Sequence, residues 1–207
     1  MVELVTTDGV FELDGGSWEV TNNIWLVGDD REVVVFDAAH DHRPIVDAIR
    51  GRRVTAIVLT HGHNDHINAA VPLREVVDAP VWLHADDRML WDVVWPDATP
   101  DVDIAPGSTI AAGGHRLGIV HTPGHSPGCC CFHDADSDFV LTGDTLFCGG
   151  PGATGRSHSD EPTILRSIRD RLLALPDTTV VHTGHGESTT IGAERDRVLE
   201  RAAELGL

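Results

Sequence analysis

Apolar and polar positions alternate along this chain in short blocks: runs rich in valine and isoleucine end in glycine, aspartate or histidine, and stretches of helical period separate them. Residues 2–5, 18–27 and 32–36 (EVVVF) predict strands, with turns at Gly15-Gly16 and at residues 28–30 between them. Residues 43–50 set Ile45, Val46 and Ile49 on one side of a helix, which leads into residues 54–59 (VTAIVL). That run is short, apolar and β-branched, as a buried strand requires. Residues 67–77 then predict a helix, 81–84 a buried strand and 85–91 a further helix, before a proline-broken stretch at 96–106.

The second half opens with residues 109–120 (TIAAGGHRLGIV), in which Gly113-Gly114 turns one short strand into the next. Residues 129–133 and 138–142 flank a turn at Asp134-Ala135-Asp136-Ser137, and 178–183 supply a late buried strand. Residues 163–174 collect Ile164, Leu165, Ile168, Leu172 and Leu173 on one side with arginines opposite, and 193–205 are amphipathic in the same way. Each half is therefore strands followed by strand-helix alternation, which fits an α/β fold of two packed sheets covered outside by helices. With 207 residues, one domain over 1–207 accounts for the pattern. Residues 151–159 (PGATGRSHS) form a surface loop of the kind that carries binding residues on a rigid scaffold.

Composition narrows the partners. The formal charge is −18, all fifteen basic residues are arginine, and lysine, tyrosine and glutamine are missing. No basic stripe marks a phosphate-backbone footprint, so nucleic acid is not expected. No run reaches the ~20 apolar residues of a membrane span. A basic, then apolar, leader is also missing, which points to a cytoplasmic protein. Nothing in the pattern specifies an oligomer. Cys129, Cys130 and Cys131 read as small strand residues, and Cys148 is expected to carry no redox or ligand role, because the spacing makes no disulfide framework.

The chemistry is concentrated after the strand at 54–59, where THGHNDH packs His61, His63, Asp65 and His66 into six positions. Imidazoles with an added carboxylate suit zinc or iron. Three more ligand-type residues follow apolar runs and have glycine beside them: His125 in HTPGHSPG, Asp144 in LTGDTLF and His185 in HTGHGE. Glycine permits the tight turns that would aim such groups inward. Asp37, ending EVVVFDA, is placed either to orient a ligand histidine or to face solvent. His40, His42, His84, His115, His121, His133 and His182 read as structural, and Trp82, Trp91 and Trp95 as packing.

These motifs closely resemble the metallo-β-lactamase superfamily, whose H-x-H-x-D-H motif and later His, Asp and His match the seven residues in order over nearly the whole chain. The resemblance implies an αββα sandwich with two divalent metal ions in a groove at the sheet ends. Zinc is the first expectation, with iron or manganese as alternatives. By that resemblance His61, His63 and His125 would hold one ion and Asp65, His66 and His185 the other, with Asp144 bridging. A hydroxide between two such ions attacks a polarised carbonyl.

TPGHSPG and TGDTLF are most similar to glyoxalase II and its short bacterial relatives, which implies hydrolysis of acyl thioesters of a small thiol. Asp65 is then the catalytic candidate, orienting the nucleophile or taking its proton. Full-length glyoxalase II enzymes carry a carboxyl-terminal glutathione-binding extension, whereas only residues 186–207 follow the last ligand here. GRSHSD at 155–160 stands where relatives often show a GRTD-type loop, which makes Arg156 and His158 the substrate-binding candidates. Persulfide dioxygenases resemble the pattern too, with one iron on His61, His125 and Asp144. Lactonase chemistry lacks its usual tyrosine here, and β-lactamase chemistry its usual cysteine.

Overall fold

The computed structural model describes residues 1–207. Six strands form a first sheet in the order β1 (Val2–Leu13), β2 (Gly16–Gly28), β3 (Glu32–Phe36), β4 (Arg53–Val58), β5 (Val81–Leu83) and β6 (Val102–Asp103). β1, β2 and β3 pair antiparallel, while β3 through β6 run parallel and need crossovers. α1 (His42–Ile49), α3 (Ala70–Val77) and α4 (Arg88–Val94) make those crossovers, with the single-turn α2 (Asn64–Ile67) ahead of α3. The second sheet comprises β7 (Thr109–Ala112), β8 (His115–His121), β9 (Cys130–Asp134), β10 (Phe139–Gly143), β13 (Val180–Thr183) and β14 (Thr189–Thr190). β11 (Leu146–Phe147) pairs with β12 (Gly150–Pro151), and α5 (Glu161–Ser167) and α6 (Ile191–Glu204) cover this half.

Alternation along the strands builds three apolar layers. In β3, Val33 and Val35 face the helix side with Ile45, Ile49 and Leu73, while Val34 and Phe36 face the other sheet. There they meet Leu117, Phe132 and Leu141. In β9 the same period sends Cys130 between the sheets and Cys131 towards Ile164, Ile168 and Val198 of the second helical layer. Helix, sheet, sheet, helix is thus the observed architecture. All three adjacent cysteines are buried, and burial pushes the Cys131 thiol up to about 11. These are packing residues.

The structure departs from the sequence reading at particular joints. β1 runs on to Leu13 and makes one long hairpin with β2, where only residues 2–5 were expected as strand. The helix expected over 67–77 is broken at Asn68-Ala69, because Asn68 turns its side chain to the loop after β3 and accepts from His40 N–H at 2.5 Å. α5 starts at Glu161 because Asp160 caps it by accepting from Thr163 N–H at 2.8 Å, with proline in its first turn. Its expected continuation to residue 174 winds instead as a π-helical turn over Ile168–Leu172. β6 fell in the proline-broken stretch and was not expected. No helix is long and apolar enough to cross a membrane.

Candidate metal centre

Strand ends of both sheets bring the ligand-type residues together. Asp37 follows β3, His61 follows β4, Asp144 follows β10 and His185 follows β13, while the loop after β8 carries His125. His63 is the N-cap of α2, and the single turn of α2 places Asp65 and His66 beside it. Two glycines make this convergence possible. Gly143 has φ +47°, and any side chain there would collide with Thr60; a Cβ at Gly184 would collide with Asp144 Oδ1.

Hydrogen bonds decide which ring nitrogen faces inward. Asp37 accepts from Thr60 N–H at 2.7 Å and from the Thr60 hydroxyl at 2.8 Å. Having given its proton away, that hydroxyl accepts from His61 Nδ1–H at 3.0 Å. Asp37 also accepts from His66 Nδ1–H at 3.0 Å. His125 Nδ1–H donates to the Ala153 carbonyl and His185 Nδ1–H to the Thr21 carbonyl, both at 2.8 Å. Four imidazoles therefore present an unprotonated Nε2, and that of His66 also lies 3.2 Å from Asn22 Nδ2. His63 is reversed, with Nδ1 lying 3.1 Å from His61 Nε2 and 2.9 Å from His125 Nε2.

Two groups of lone pairs result. His61 Nε2, His63 Nδ1 and His125 Nε2 form one, and Asp65 Oδ2, His66 Nε2 and His185 Nε2 form the other, each with its atoms within 4.8 Å of one another. In the second group Asp65 lies 3.3 Å from His185 and 3.5 Å from His66, and the two rings are 3.2 Å apart. Asp144 reaches both groups: Oδ1 is 3.3 Å from His66, and Oδ2 is 3.4 Å from His185 and 3.5 Å from His125.

Acceptors pointed at one another repel unless positive charge lies between them. Oδ1 of Asp65 and of Asp144 are buried without hydrogen-bond partners, which a folded protein rarely tolerates. Burial, with His125 next, pushes His63 down to about 3, so this ring is held neutral as coordination requires. Burial opposes charge on His185 too, yet Asp144 and then Asp65 raise it to about 10. The second group thus sits in strongly negative potential. Divalent cations fit this donor set of five imidazoles and two carboxylates.

Beside these groups lies a cavity of about 200 Å³ with Phe11, Val20, Phe147 and Arg156 on its wall. The long hairpin β1–β2 supplies that wall: Phe11 sits 5.2 Å from the His63 ring and stacks on Trp18 at 5.6 Å. The Arg156 guanidinium lies 4.0 Å over the Trp18 ring and 5.3 Å from Phe11, with no carboxylate within ion-pair distance. His158 is not brought to the cavity. It is exposed at φ +67°, where the turn of its loop directs it to solvent. Cys148 is exposed, and Trp91 and Trp95 pack in the first helical layer with their N–H groups on the Ala98 and Ile67 carbonyls.

Sequence reasoning missed two participants. Asp87 is fully buried and accepts from Gly62 N–H at 2.8 Å, Gly128 N–H at 2.6 Å and the Ser126 hydroxyl at 2.6 Å. It ties the loop of His61 and His63 to the loop of His125, although HADDRML gave no signal beyond a helix start. Asn22, on β2, donates from Nδ2 to Asp65 Oδ2 at 3.1 Å. Its only mark in sequence was a polar pair, Asn22-Asn23, inside an apolar strand.

Comparison with known proteins agrees with this geometry. The probable metallo-hydrolase YqgX of Bacillus subtilis is 35% identical over 190 residues, covering 85% of this chain and 90% of that one. The hydroxyacylglutathione hydrolase GloC of Haemophilus influenzae is 30% identical over 187 residues, covering 83% and 87%. The crystal structure of TTHA1623 in a di-iron-bound form superposes with a TM-score of 0.73 at 34% identity, covering 85% of this chain and 93% of that one. A family model described as the metallo-beta-lactamase superfamily matches residues 18–185, a span that holds all seven ligand-type residues, and the chain belongs to that superfamily.

Proposed function

We propose that this chain is a binuclear metal-dependent hydrolase of acyl thioesters of a small thiol, with His61, His63 and His125 holding one ion, Asp65, His66 and His185 the other, and Asp144 bridging. The observation that carries this reading is the pair of three-atom groups joined by the two oxygens of one carboxylate. The relationship to GloC supports thioester chemistry, and zinc suits the donor set, with iron or manganese as the alternatives. Two ions so held would supply a nucleophile near neutral pH and polarise a carbonyl oxygen.

The chain's own residues do the rest. Asp65, with Oδ1 free of partners, is placed to orient the nucleophile and take its proton. Phe11, Val20 and Phe147 exclude water from one side of the acyl group. Arg156, already immobilised on Trp18, offers its donors to an anionic group of the substrate. A thiolate leaves with little need of protonation, so the cavity requires no dedicated acid on the leaving-group side. Four unpaired cysteines support a reducing, cytoplasmic setting.

Metal analysis of the purified protein beside thioester turnover and oxygen uptake tests this. Two ions and hydrolysis of an S-acyl thiol are expected. One iron with oxygen consumed on a thiol persulfide would overturn the reading in favour of a dioxygenase.

A further inference from the structure

A chain of hydrogen bonds leads from the Asp65 carboxylate to the peptide N–H of His40. Asn22 Nδ2 lies 3.1 Å from Asp65 Oδ2, and Asn22 Oδ1 lies 2.8 Å from His40 Nε2. His40 Nδ1 lies 3.2 Å from Asn68 Nδ2, and Asn68 Oδ1 accepts from His40 N–H at 2.5 Å. Its two ends fix every proton in it. The carboxylate only accepts, so Asn22 must turn its NH₂ towards Asp65 and its oxygen towards His40. His40 must then donate from Nε2, leaving Nδ1 to accept from the Asn68 amide. Asn68 in turn has its oxygen where the donor-only peptide N–H of His40 needs it. One neutral tautomer of His40 satisfies all four contacts.

The backbone is shaped around this ring. His40 has φ +56°, a left-handed conformation that few residues other than glycine adopt and that histidine, asparagine and aspartate tolerate best, and its N–H is bound to Asn68 there. Gly9 on β1 is glycine where any Cβ would overlap the imidazole. The half-buried ring is therefore flanked by the hairpin and by the Asn68 break between α2 and α3.

We infer that His40 is a positioning residue for the second metal site: by holding the Asn22 oxygen, it keeps the Asn22 amide group donating to Asp65. This rests on the proposed assignment of Asp65, His66 and His185 to one ion. An amide rotates about a broad torsion, and without the His40 N–H the Asn22 oxygen loses its donor, so the amide is held only at its other end, where Nδ2 lies 3.1 Å from Asp65 Oδ2 and 3.2 Å from His66 Nε2. Asp65 would then be held by a loosely placed donor, and the second group would lose its fixed geometry. The His61, His63 and His125 group takes its supports from Thr60, Ala153 and packing, and does not use this chain.

His40→Phe keeps the ring against Gly9 and removes both ring hydrogen bonds, whereas His40→Gln can restore a donor and an acceptor. Zinc stoichiometry and stepwise affinity, read by chelator competition, are expected to show one site unchanged and one weakened about 10–100-fold in His40→Phe, with partial recovery in His40→Gln. Cobalt(II) absorption should change for one of two ions only. Wild type binding a single ion would strike the ligand assignment; wild type binding two with His40→Phe matching it in both affinities would overturn the role of His40 alone. A long-range ¹H–¹⁵N spectrum of zinc-loaded wild type needs no variant. The Nε2–H tautomer at His40 is expected, and an Nδ1–H tautomer would refute the chain.

Discussion

Asp37 accepts from His66 Nδ1–H at 3.0 Å and, through the Thr60 hydroxyl, also fixes His61, so one carboxylate orients a ring in each of the two lone-pair groups. Removing it should loosen both. Asp37→Ala is expected to lower affinity for each zinc ion by about 10–100-fold. It also leaves Thr60 N–H without an acceptor, at a stability cost of about 1–3 kcal/mol. Competition with a chromogenic chelator and thermal melting of zinc-loaded protein read the two effects. Weakening confined to a single ion would contradict the shared role.

Asp87 ties two loops rather than two rings. Asp87→Ala orphans the Gly62 and Gly128 N–H groups in a buried place, each worth about 1–3 kcal/mol, so the loss of stability should be at least about 2 kcal/mol. Asp87→Asn retains one carbonyl oxygen and should lose less. Denaturant melts of the three proteins give the ranking, and an Asp87→Ala variant as stable as wild type would remove Asp87 from the account.

Arg156 can be separated from the metal groups by substrate charge. Arg156→Ala is expected to raise KM for a thioester bearing a carboxylate by about 10–100-fold, the worth of a charge-assisted hydrogen bond, and to leave kcat within a few-fold. An uncharged thioester should show no such penalty. Trp18→Ala should move KM in the same direction by a smaller factor, because the guanidinium loses its stacking face, worth about 0.5–1 kcal/mol at an exposed site. Equal losses on charged and neutral substrates would assign Arg156 to the fold instead.

How far the sequence foretold this centre depends on the range of the interaction. His61, His63, Asp65 and His66 were legible because strand, turn and helix start are contiguous, and His125, Asp144 and His185 because each follows its own strand with glycine beside it. The layered fold followed from alternation such as Val33, Val34, Val35 and Phe36, which needs both faces covered. What stayed hidden depends on residues distant in the chain. His40 looked like a lone loop histidine because its partners are Asn22 and Asn68, and Asp87 because its partners are Gly62, Ser126 and Gly128. The wall of the cavity was hidden for another reason: extending β1 to Leu13 lifts Phe11 over His63, and a mixed polar run such as TTDGVFEL carries little strand signal.

Metal removal should destabilise through the carboxylates. Stripped of cations, the second group can answer the charge of Asp65 and Asp144 only with protons on His66 and His185, both of which are raised. Zinc at about a thousand times its dissociation constant adds about 4 kcal/mol to the folded state, so chelation should lower the melting temperature and zinc should restore it. Asp144→Asn should reduce that zinc-dependent gain, since one of the two oxygens that reach the ring nitrogens is replaced by an NH₂ donor. A melting temperature indifferent to chelator in wild type would count against a metal centre here.

His182 gives the fold a pH dependence of its own. Its ring packs on Trp25 at 4.3 Å and on Phe139 at 5.6 Å, and burial lowers its pKa to about 4. Between the ordinary value of 6.5 and about 4, the unfolded chain binds a proton at this residue that the folded chain refuses. Stability from this group is therefore complete above pH about 6.5 and is lost as pH falls towards 4, at no more than about 1.4 kcal/mol per pH unit. The slope will be shallower than that limit, because the ring is partly open to solvent beside Ser188. Acid also weakens zinc binding by protonating ligand imidazoles, so the comparison must be made against His182→Gln at the same zinc concentration. The variant's melting temperature should fall less than that of wild type between pH 6.5 and 4, and superimposable curves would show that His182 takes up its proton in the fold without cost.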